Sequence, residues 1–270
     1  MRFILIHGGF HGAWCWQRVI PELEHLGHRA VAIDLPQHGE RGHDPTSSLD
    51  ERSAAIVDVL QSGDVLVGHS GGGYDVTVAA DRAPEKVAHI VYLAAGLPLE
   101  GRTVLEATGG ASQKDETGEI RTTRLMADDT GMLRFIRPNA EGRMVWTSKE
   151  GAREFFYHDC DDATIDWAFG KLTPSAQGFL NETVQLRNYW RADLPRSYIL
   201  CEQDRAKPHW MSEQVYERLG VVPLKINASH SPFLSKPAEL ANLLVQATCT
   251  RPVGPLRPSV RSRQPAAKPA

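Results

Sequence analysis

Val65-Leu66-Val67-Gly68-His69-Ser70-Gly71-Gly72-Gly73 is the stretch whose reading decides the fold. Val65 to Val67 is a short apolar run that reads as a buried strand. Tyr74 to Arg82 reads as a helix, with Val76, Val78, Ala79 and Ala80 free to pack on a sheet. Strand, G-x-S-x-G, helix is the context that makes a common five-residue pattern into a nucleophile elbow. A serine on so sharp a turn sits in strained backbone, and side chains beside it would clash. Small residues at Gly68 and Gly72 relieve that clash. The helix that starts beside Ser70 aims its free N–H groups and positive dipole end at the reacting oxygen.

Upstream, Phe3 to Ile6 is an apolar run that ends at His7-Gly8-Gly9, a buried parallel strand followed by a loop. Apolar residues at Trp16, Val19, Ile20, Leu23 and Leu26 have helical spacing, with Pro21 predicting a kink or a helix that starts near it. Ala30 to Ile33 is the second strand, and Leu49 to Gln61 the second helix. Val87 to Ala95 is the fourth strand. Strand and helix alternate, which predicts an α/β fold with a doubly wound, mostly parallel sheet.

The rhythm breaks after Pro98. Residues 101–118 are Gly-, Thr- and Ser-rich and read as irregular. Short helices are expected over 150–157, 161–169 and 175–179. An insertion at the C-terminal edge of a parallel sheet covers the site, because ligands bind outside the strand ends. The expected organisation is therefore a core of residues 1–99 and 192–249, a helical cap inserted at 100–191, and a disordered basic, Pro-rich tail from 250 to 270. Within the second part of the core, Arg196 to Cys201 and Val222 to Ile226 read as strands, and Trp210–Leu219 and Pro237–Ala247 as helices.

A serine hydroxyl needs a base to take its proton, and the base needs a third group to orient it. After a G-x-S-x-G elbow the chain order is Ser, acid, His. Glu202-Gln203-Asp204 follows one late strand, and Asn227-Ala228-Ser229-His230 follows the next. The candidate catalytic residues are Ser70, Asp204 and His230, with Glu202 as the alternative acid. Negative charge on a carbonyl oxygen in acyl transfer also needs two fixed N–H donors. Gly71 supplies one. Gly9 is expected to supply the other, with Phe10 as runner-up, and His7 to hold that loop by hydrogen bonds.

The chain has 270 residues, 41% of them apolar, and a net charge of -3. That length buries a sizeable core, and that charge favours neither nucleic acid nor an anionic membrane. No run approaches the span of a membrane, and no signal peptide precedes the first strand. Four scattered cysteines (Cys15, Cys160, Cys201, Cys249) suggest reduced thiols and a cytoplasmic protein. His158-Asp159-Cys160-Asp161-Asp162 contains ligand types, but adjacent positions rarely converge on one ion, so no metal is expected and a helix start is.

Three segments together resemble the α/β-hydrolase superfamily: Leu5-Ile6-His7-Gly8-Gly9-Phe10-His11-Gly12-Ala13-Trp14, Gly68-His69-Ser70-Gly71-Gly72 and Ser229-His230-Ser231-Pro232-Phe233. The first is similar to the branch of plant methyl esterases, hydroxynitrile lyases and small bacterial carboxylesterases. The last resembles the bacterial, pyrethroid-hydrolase-like members. The resemblance spans residues 2–247. It implies Ser70, Asp204 and His230 as a triad, Gly9 and Gly71 as oxyanion donors, and no cofactor. Lyases of that branch carry a threonine and a lysine where this chain has Gly8 and Ser231, so no cation stands after His230 and ester hydrolysis is favoured.

The expected function is a serine carboxylesterase acting on a small, mostly apolar ester through an acyl-enzyme. Phe10, Trp167 and Phe169 are the candidate substrate-binding residues. The alternatives are a lactonase, a thioesterase or a C–C lyase on the same fold, or a low-turnover ligand-binding receptor. The expected partners are the ester and, at most, a second copy of the chain in a homodimer.

Overall fold

The structure, a computed structural model, describes residues 1–108, 112–114, 120–122, 130–175 and 178–259. Six parallel strands form its centre: β1 (Arg2–Ile6), β2 (Arg29–Ile33), β3 (Asp64–His69), β4 (Val87–Leu93), β5 (Arg196–Cys201) and β6 (Leu224–Ile226). Their order is β6-β5-β4-β3-β1-β2, with β3, the strand of the elbow, in the interior. The crossovers are helical. They include α1 (Val19–His25), α2 (Leu49–Val59) and α3 (Gly72–Arg82); α4 (Asp162–Phe169) lies in the insertion, and α5 (His209–Leu219) and α6 (Pro237–Ala247) close the chain.

The period-2 alternation of the strands builds two cores. Phe3, Leu5, Val65, Val67, Val91 and Leu93 face one side, where α1 and α6 bring Val19, Leu23, Leu240 and Leu244. Ile4, Ile6, Leu66, Ile90 and Tyr92 face the other, where α2, α3 and α5 bring Ile56, Val76, Ala79 and Leu219. Central strands buried on both faces are apolar at most positions, which is why they show as short apolar runs in sequence. Among the described residues no helix is long and apolar enough to cross a membrane.

Register brings the chemistry to one edge. Ile6 pairs with Gly68, His69 with Leu93, and Cys201 with Ile226. The loops after β1, β3, β5 and β6 therefore all leave the sheet on the same side.

The helix expected to start near Pro21 is α1, with Pro21 in its first turn, where a missing N–H costs little, and a 3-10 turn at Ala13–Trp16 precedes it. Two expectations are corrected. The insertion holds helices but also short antiparallel pairs: Arg102–Thr103 with Thr183–Val184, Ser112–Lys114 with Ile120–Thr122, and Ile136–Pro138 with Met144–Trp146. Runs of two or three residues are too short to show a period. Residues 109–111, 115–119, 176 and 177, on which parts of the irregular and helical readings fall, lie outside the described residues. Finally, the chain does not leave the body at Thr250. Val253 and Gly254 N–H groups donate to the Gly220 carbonyl at 2.7 and 3.0 Å, and Arg257 N–H donates to Arg218 O at 2.8 Å. Gly220, left-handed with φ 67° at the end of α5, turns the chain so that its carbonyl is free for them. Residues 260–270 of the predicted tail lie outside the described residues.

Candidate active site

Ser70 has φ 52°, a left-handed backbone that a side chain adopts only at a cost of about 1–3 kcal/mol. Its surroundings enforce the turn. Ser70 N–H donates to Leu93 O at 3.1 Å, and Ser70 O accepts from Gly73 and Gly96 N–H at 3.2 and 2.9 Å. The flanking glycines are required by close approach. A Cβ on Gly68 would lie 2.7 Å from Val76 Cγ2, and one on Gly72 would lie 2.5 Å from the His7 carbonyl oxygen.

His230 stands in the loop after β6. Its Nδ1 donates to Asp204 Oδ2 at 2.7 Å, with both side chains almost wholly buried. The other carboxylate oxygen, Oδ1, accepts from the N–H groups of Ala206 and Lys207, each at 2.8 Å. Asp204 is thus fixed by two backbone donors and fixes the imidazole in turn, leaving Nε2 as the acceptor nitrogen. Glu202, the alternative acid, is exposed and pairs with Lys225 at 3.4 Å. The insertion braces the His230 loop. Asp159 accepts from Ser229 N–H and Ser235 Oγ at 2.9 and 2.8 Å, and Phe156 O accepts from Ser229 Oγ at 2.8 Å. The His158–Asp162 run is therefore engaged: His158 Nε2 donates to Gln203 O, and Asp161 caps α4 through Thr164 N–H. Among the described residues no cluster of His, Cys, Asp or Glu could hold a metal ion.

Opposite Ser70 lies the loop after β1. Gly9 N is 3.8 Å from where a Cβ of Gly71 would be, so the two expected oxyanion donors are neighbours. Neither N–H has a protein acceptor among the described residues. His7 holds this loop from two sides, donating from Nδ1 to Gly8 O at 2.8 Å and accepting at Nε2 from Leu35 N–H at 3.1 Å. Phe10 is left-handed at φ 65°, and its carbonyl accepts from Thr173 N–H at 2.8 Å, which ties the loop to the insertion. His11 completes the tie. Its Nδ1 donates to Gly9 O at 2.9 Å, and its Nε2 accepts from Tyr157 O–H at 2.7 Å. Desolvation lowers His7 and His69 well below 6.5 and brings His11 to about 4 and His38 to about 3, so these rings are neutral near pH 7.

Ser70, His230, Gly9, Gly71 and Phe10 line one mostly apolar cavity of about 250 Å³. Met132, Ile136, Met144 and Phe156 of the insertion close it, and the Phe156 ring stacks on His230 at 5.7 Å. Trp167 and Phe169 do not line it. Helix α4 is held through Thr164 by Arg18, and Trp167 stands edge-on to Trp14 with ring centroids 5.2 Å apart. That packing takes the aromatic end of α4 away from the cavity. Sequence reasoning missed Arg52 and Lys207, both buried and both in the cavity wall. Ser231 leaves no cation after His230, but Lys207, three residues past Asp204, places one in the same cavity. Charged residues in predicted helical or loop segments carry no sequence mark of burial.

Comparison with known proteins agrees with the fold. The chain is 42% identical over 259 residues to the rice (Oryza sativa subsp. japonica) esterase PIR7B, covering 90% of this chain and 94% of that one. It is 30% identical over 260 residues to methylesterase 9 of Arabidopsis thaliana, covering 90% and 96%. A pyrethroid hydrolase from Sphingobium faniae JZ-2 superposes with a TM-score of 0.75 at 26% identity, covering 92% of this chain and 97% of that one. The alpha/beta hydrolase family model matches residues 3–243, from the first strand into the last helix, and the chain belongs to that family.

Proposed function

We infer that this protein is a serine carboxylesterase that hydrolyses a small, mostly apolar carboxylic ester. The observation that carries the reading is the 2.7 Å contact of Asp204 with His230, in a cavity that His230 shares with the strained Ser70. The likeness to proteins named methylesterase, esterase and pyrethroid hydrolase supports it.

In the proposed mechanism His230 Nε2 takes the Ser70 hydroxyl proton as Oγ attacks the ester carbonyl. Asp204 keeps the proton on Nδ1 and stabilises the imidazolium. The Gly9 and Gly71 N–H groups receive the oxyanion; removing one such donor costs about 100- to 1000-fold in rate. His230 protonates the leaving alcohol, and water then cleaves the acyl-enzyme. No cofactor takes part. The apolar lining and the modest volume support a small substrate.

The test is hydrolysis of p-nitrophenyl esters from acetate to octanoate by the native protein and by Ser70→Ala, with fluorophosphonate labelling of Ser70. Turnover lost in the variant supports the reading. Labelling without turnover moves the substrate to lactones or thioesters, and the absence of both labelling and turnover would overturn the enzyme reading in favour of a ligand-binding receptor. Lys207 is a cationic residue of the same cavity wall, which keeps a lyase reading as the second one. Release of cyanide from an aromatic cyanohydrin, in the absence of ester turnover, would favour that reading.

A further inference from the structure

The cavity wall is electrically one-sided. Among its described lining residues, Arg52 and Lys207 are the cationic side chains, and none is Asp or Glu. Arg52 is compensated, because its Nε and Nη2 donate to the two oxygens of buried Asp75 at 2.7 and 2.8 Å. Lys207 is not. Only 4% exposed, its Nζ donates to the carbonyl oxygen of Ala95 and, at 3.2 Å, to the hydroxyl of Tyr198. Both acceptors are neutral, and among the described residues no carboxylate lies within ion-pair distance of the ammonium. An ammonium carries three N–H donors, so one remains for whatever enters the cavity.

Two neighbours extend this feature. Arg218, equally buried, donates to the backbone oxygens of Leu97, Pro98 and Pro258 and likewise has no carboxylate partner among the described residues. Its charge acts on Tyr74, another residue of the cavity wall. The Tyr74 hydroxyl would be 2.5 Å from a Cβ on Gly96, while Lys207 sits on the carbonyl of Ala95. Two donors thus converge on consecutive residues of the loop after β4. Burial keeps the Tyr74 O–H protonated, and the hydroxyl has no protein acceptor among the described residues.

The carboxylate whose charge acts on Lys207 is Asp204, which His230 and two backbone N–H groups already hold, so the buried ammonium has no ion pair of its own, a costly arrangement that an apolar side chain would avoid. An anionic group on the ligand would supply the missing direct ion pair. A carboxylate fits, since it accepts from both an ammonium and a hydroxyl. We propose that Lys207 and Tyr74 form an anchor for a free carboxylate on the substrate, so that the preferred substrate class is a half-ester, a monoester of a dicarboxylic acid. The proposal rests on the ester-hydrolase reading above for the reaction, but not for the binding. Apolar lining carries the chain between the two ends, and the lone ammonium selects the far one.

The experiment measures methanol release from monomethyl glutarate and monomethyl adipate against methyl hexanoate and methyl heptanoate, below pH 7, where Lys207 holds its proton. In the native protein the acid-bearing ester of the better-fitting length is expected to have a kcat/KM at least about tenfold above its neutral partner. In Lys207→Met that ratio falls below one, mainly through KM. Tyr74→Phe, which removes only a hydroxyl, lowers it less. A ratio of one or below in a native protein that does hydrolyse the neutral esters overturns the anchor and leaves the esterase reading standing. If no ester is turned over, the esterase reading fails, and calorimetry decides the anchor. Monomethyl glutarate, which is then not turned over, should bind the native protein more tightly than neutral methyl hexanoate, and the difference should vanish in Lys207→Met. Equal affinities in the native protein, or an unchanged difference in the variant, would overturn the proposal.

Discussion

The imidazole of His69 donates from Nε2 to the carbonyl oxygen of His230 at 2.9 Å. The residue before the proposed nucleophile therefore holds the loop that carries the proposed base. Both rings are buried, with centroids 4.7 Å apart. Desolvation keeps His69 neutral, so the donor persists across the working pH range. His69→Leu leaves the His230 carbonyl unpaired in an apolar setting, a cost of about 1–3 kcal/mol. We expect kcat to fall by about tenfold or more with KM little changed, and His69→Gln to recover part of it by restoring a donor. Steady-state kinetics on p-nitrophenyl acetate measure this. An undiminished kcat in the leucine variant would mean that the loop holds itself.

Gly8 bears on Ser70 more directly. A Cβ at position 8 would lie 2.8 Å from Ser70 Cβ and 3.1 Å from His69 Nδ1. Neither neighbour is the free end of a flexible chain. Gly8→Ala should therefore displace the nucleophile or the Gly9 donor while leaving the sheet intact. Displacements of this kind cost about 100-fold in rate. The expected result is a loss of that order in kcat and slowed fluorophosphonate labelling, with an unchanged circular dichroism spectrum. Labelling at the native rate would show that the loop relaxes freely around a methyl group.

Much of this was legible in the sequence because it rests on local rules. Val65 to Val67 is apolar since β3 is buried on both faces, and Gly68 and Gly72 are glycine since Val76 and the His7 carbonyl leave no room. Asp204 and His230 follow strands whose ends the register aligns. What was not legible depends on long-range packing. Nothing around Lys207 or Arg52 in the chain signals burial, since each reaches its site through partners far away in sequence, Ala95 and Asp75. Trp167 looked like cavity lining because it is a cap aromatic, yet Trp14 claims it. The stretch after Thr250 has the composition of a tail and is held by backbone bonds to Gly220 and Arg218, which composition does not encode.

The Arg52–Asp75 pair makes a stability prediction. Both side chains are at most 2% exposed, and the guanidinium also gives Nη1 to Ser47 Oγ at 3.2 Å and covers the Phe179 ring at 4.6 Å. Asp75→Ala strands a cation beside an apolar helix face, which costs about 3–5 kcal/mol. Replacing both, as Arg52→Met with Asp75→Leu, removes the charge and the desolvation together and should recover most of that loss. Urea midpoints of the native protein, Asp75→Ala and the double variant check this. A single variant as stable as the native chain would mean that water reaches the pair.

Acid should unfold this protein early. His11 and His89 titrate at about 4 in the folded chain, His38 at about 3, and His7 and His69 well below 6.5, all chiefly through burial. A histidine with a folded pKa below its unfolded value binds fewer protons than the unfolded chain between the two. Its contribution is therefore intact above 6.5 and is lost as pH falls from there toward the folded value. For His11 alone the window is worth about 3 kcal/mol. The losses from His11, His38 and His89 are together comparable with the roughly 5–15 kcal/mol of a typical domain, and His7 and His69 act in the same direction, so unfolding should precede titration of the folded rings. The urea midpoint should be flat from neutral pH down to 6.5 and then drop steeply, reaching zero denaturant before pH 4. His89→Asn, which keeps a donor for Ser197 Oγ, should make that drop shallower. A midpoint unchanged between pH 7 and pH 4 would show that these rings reach water and protonate within the folded state.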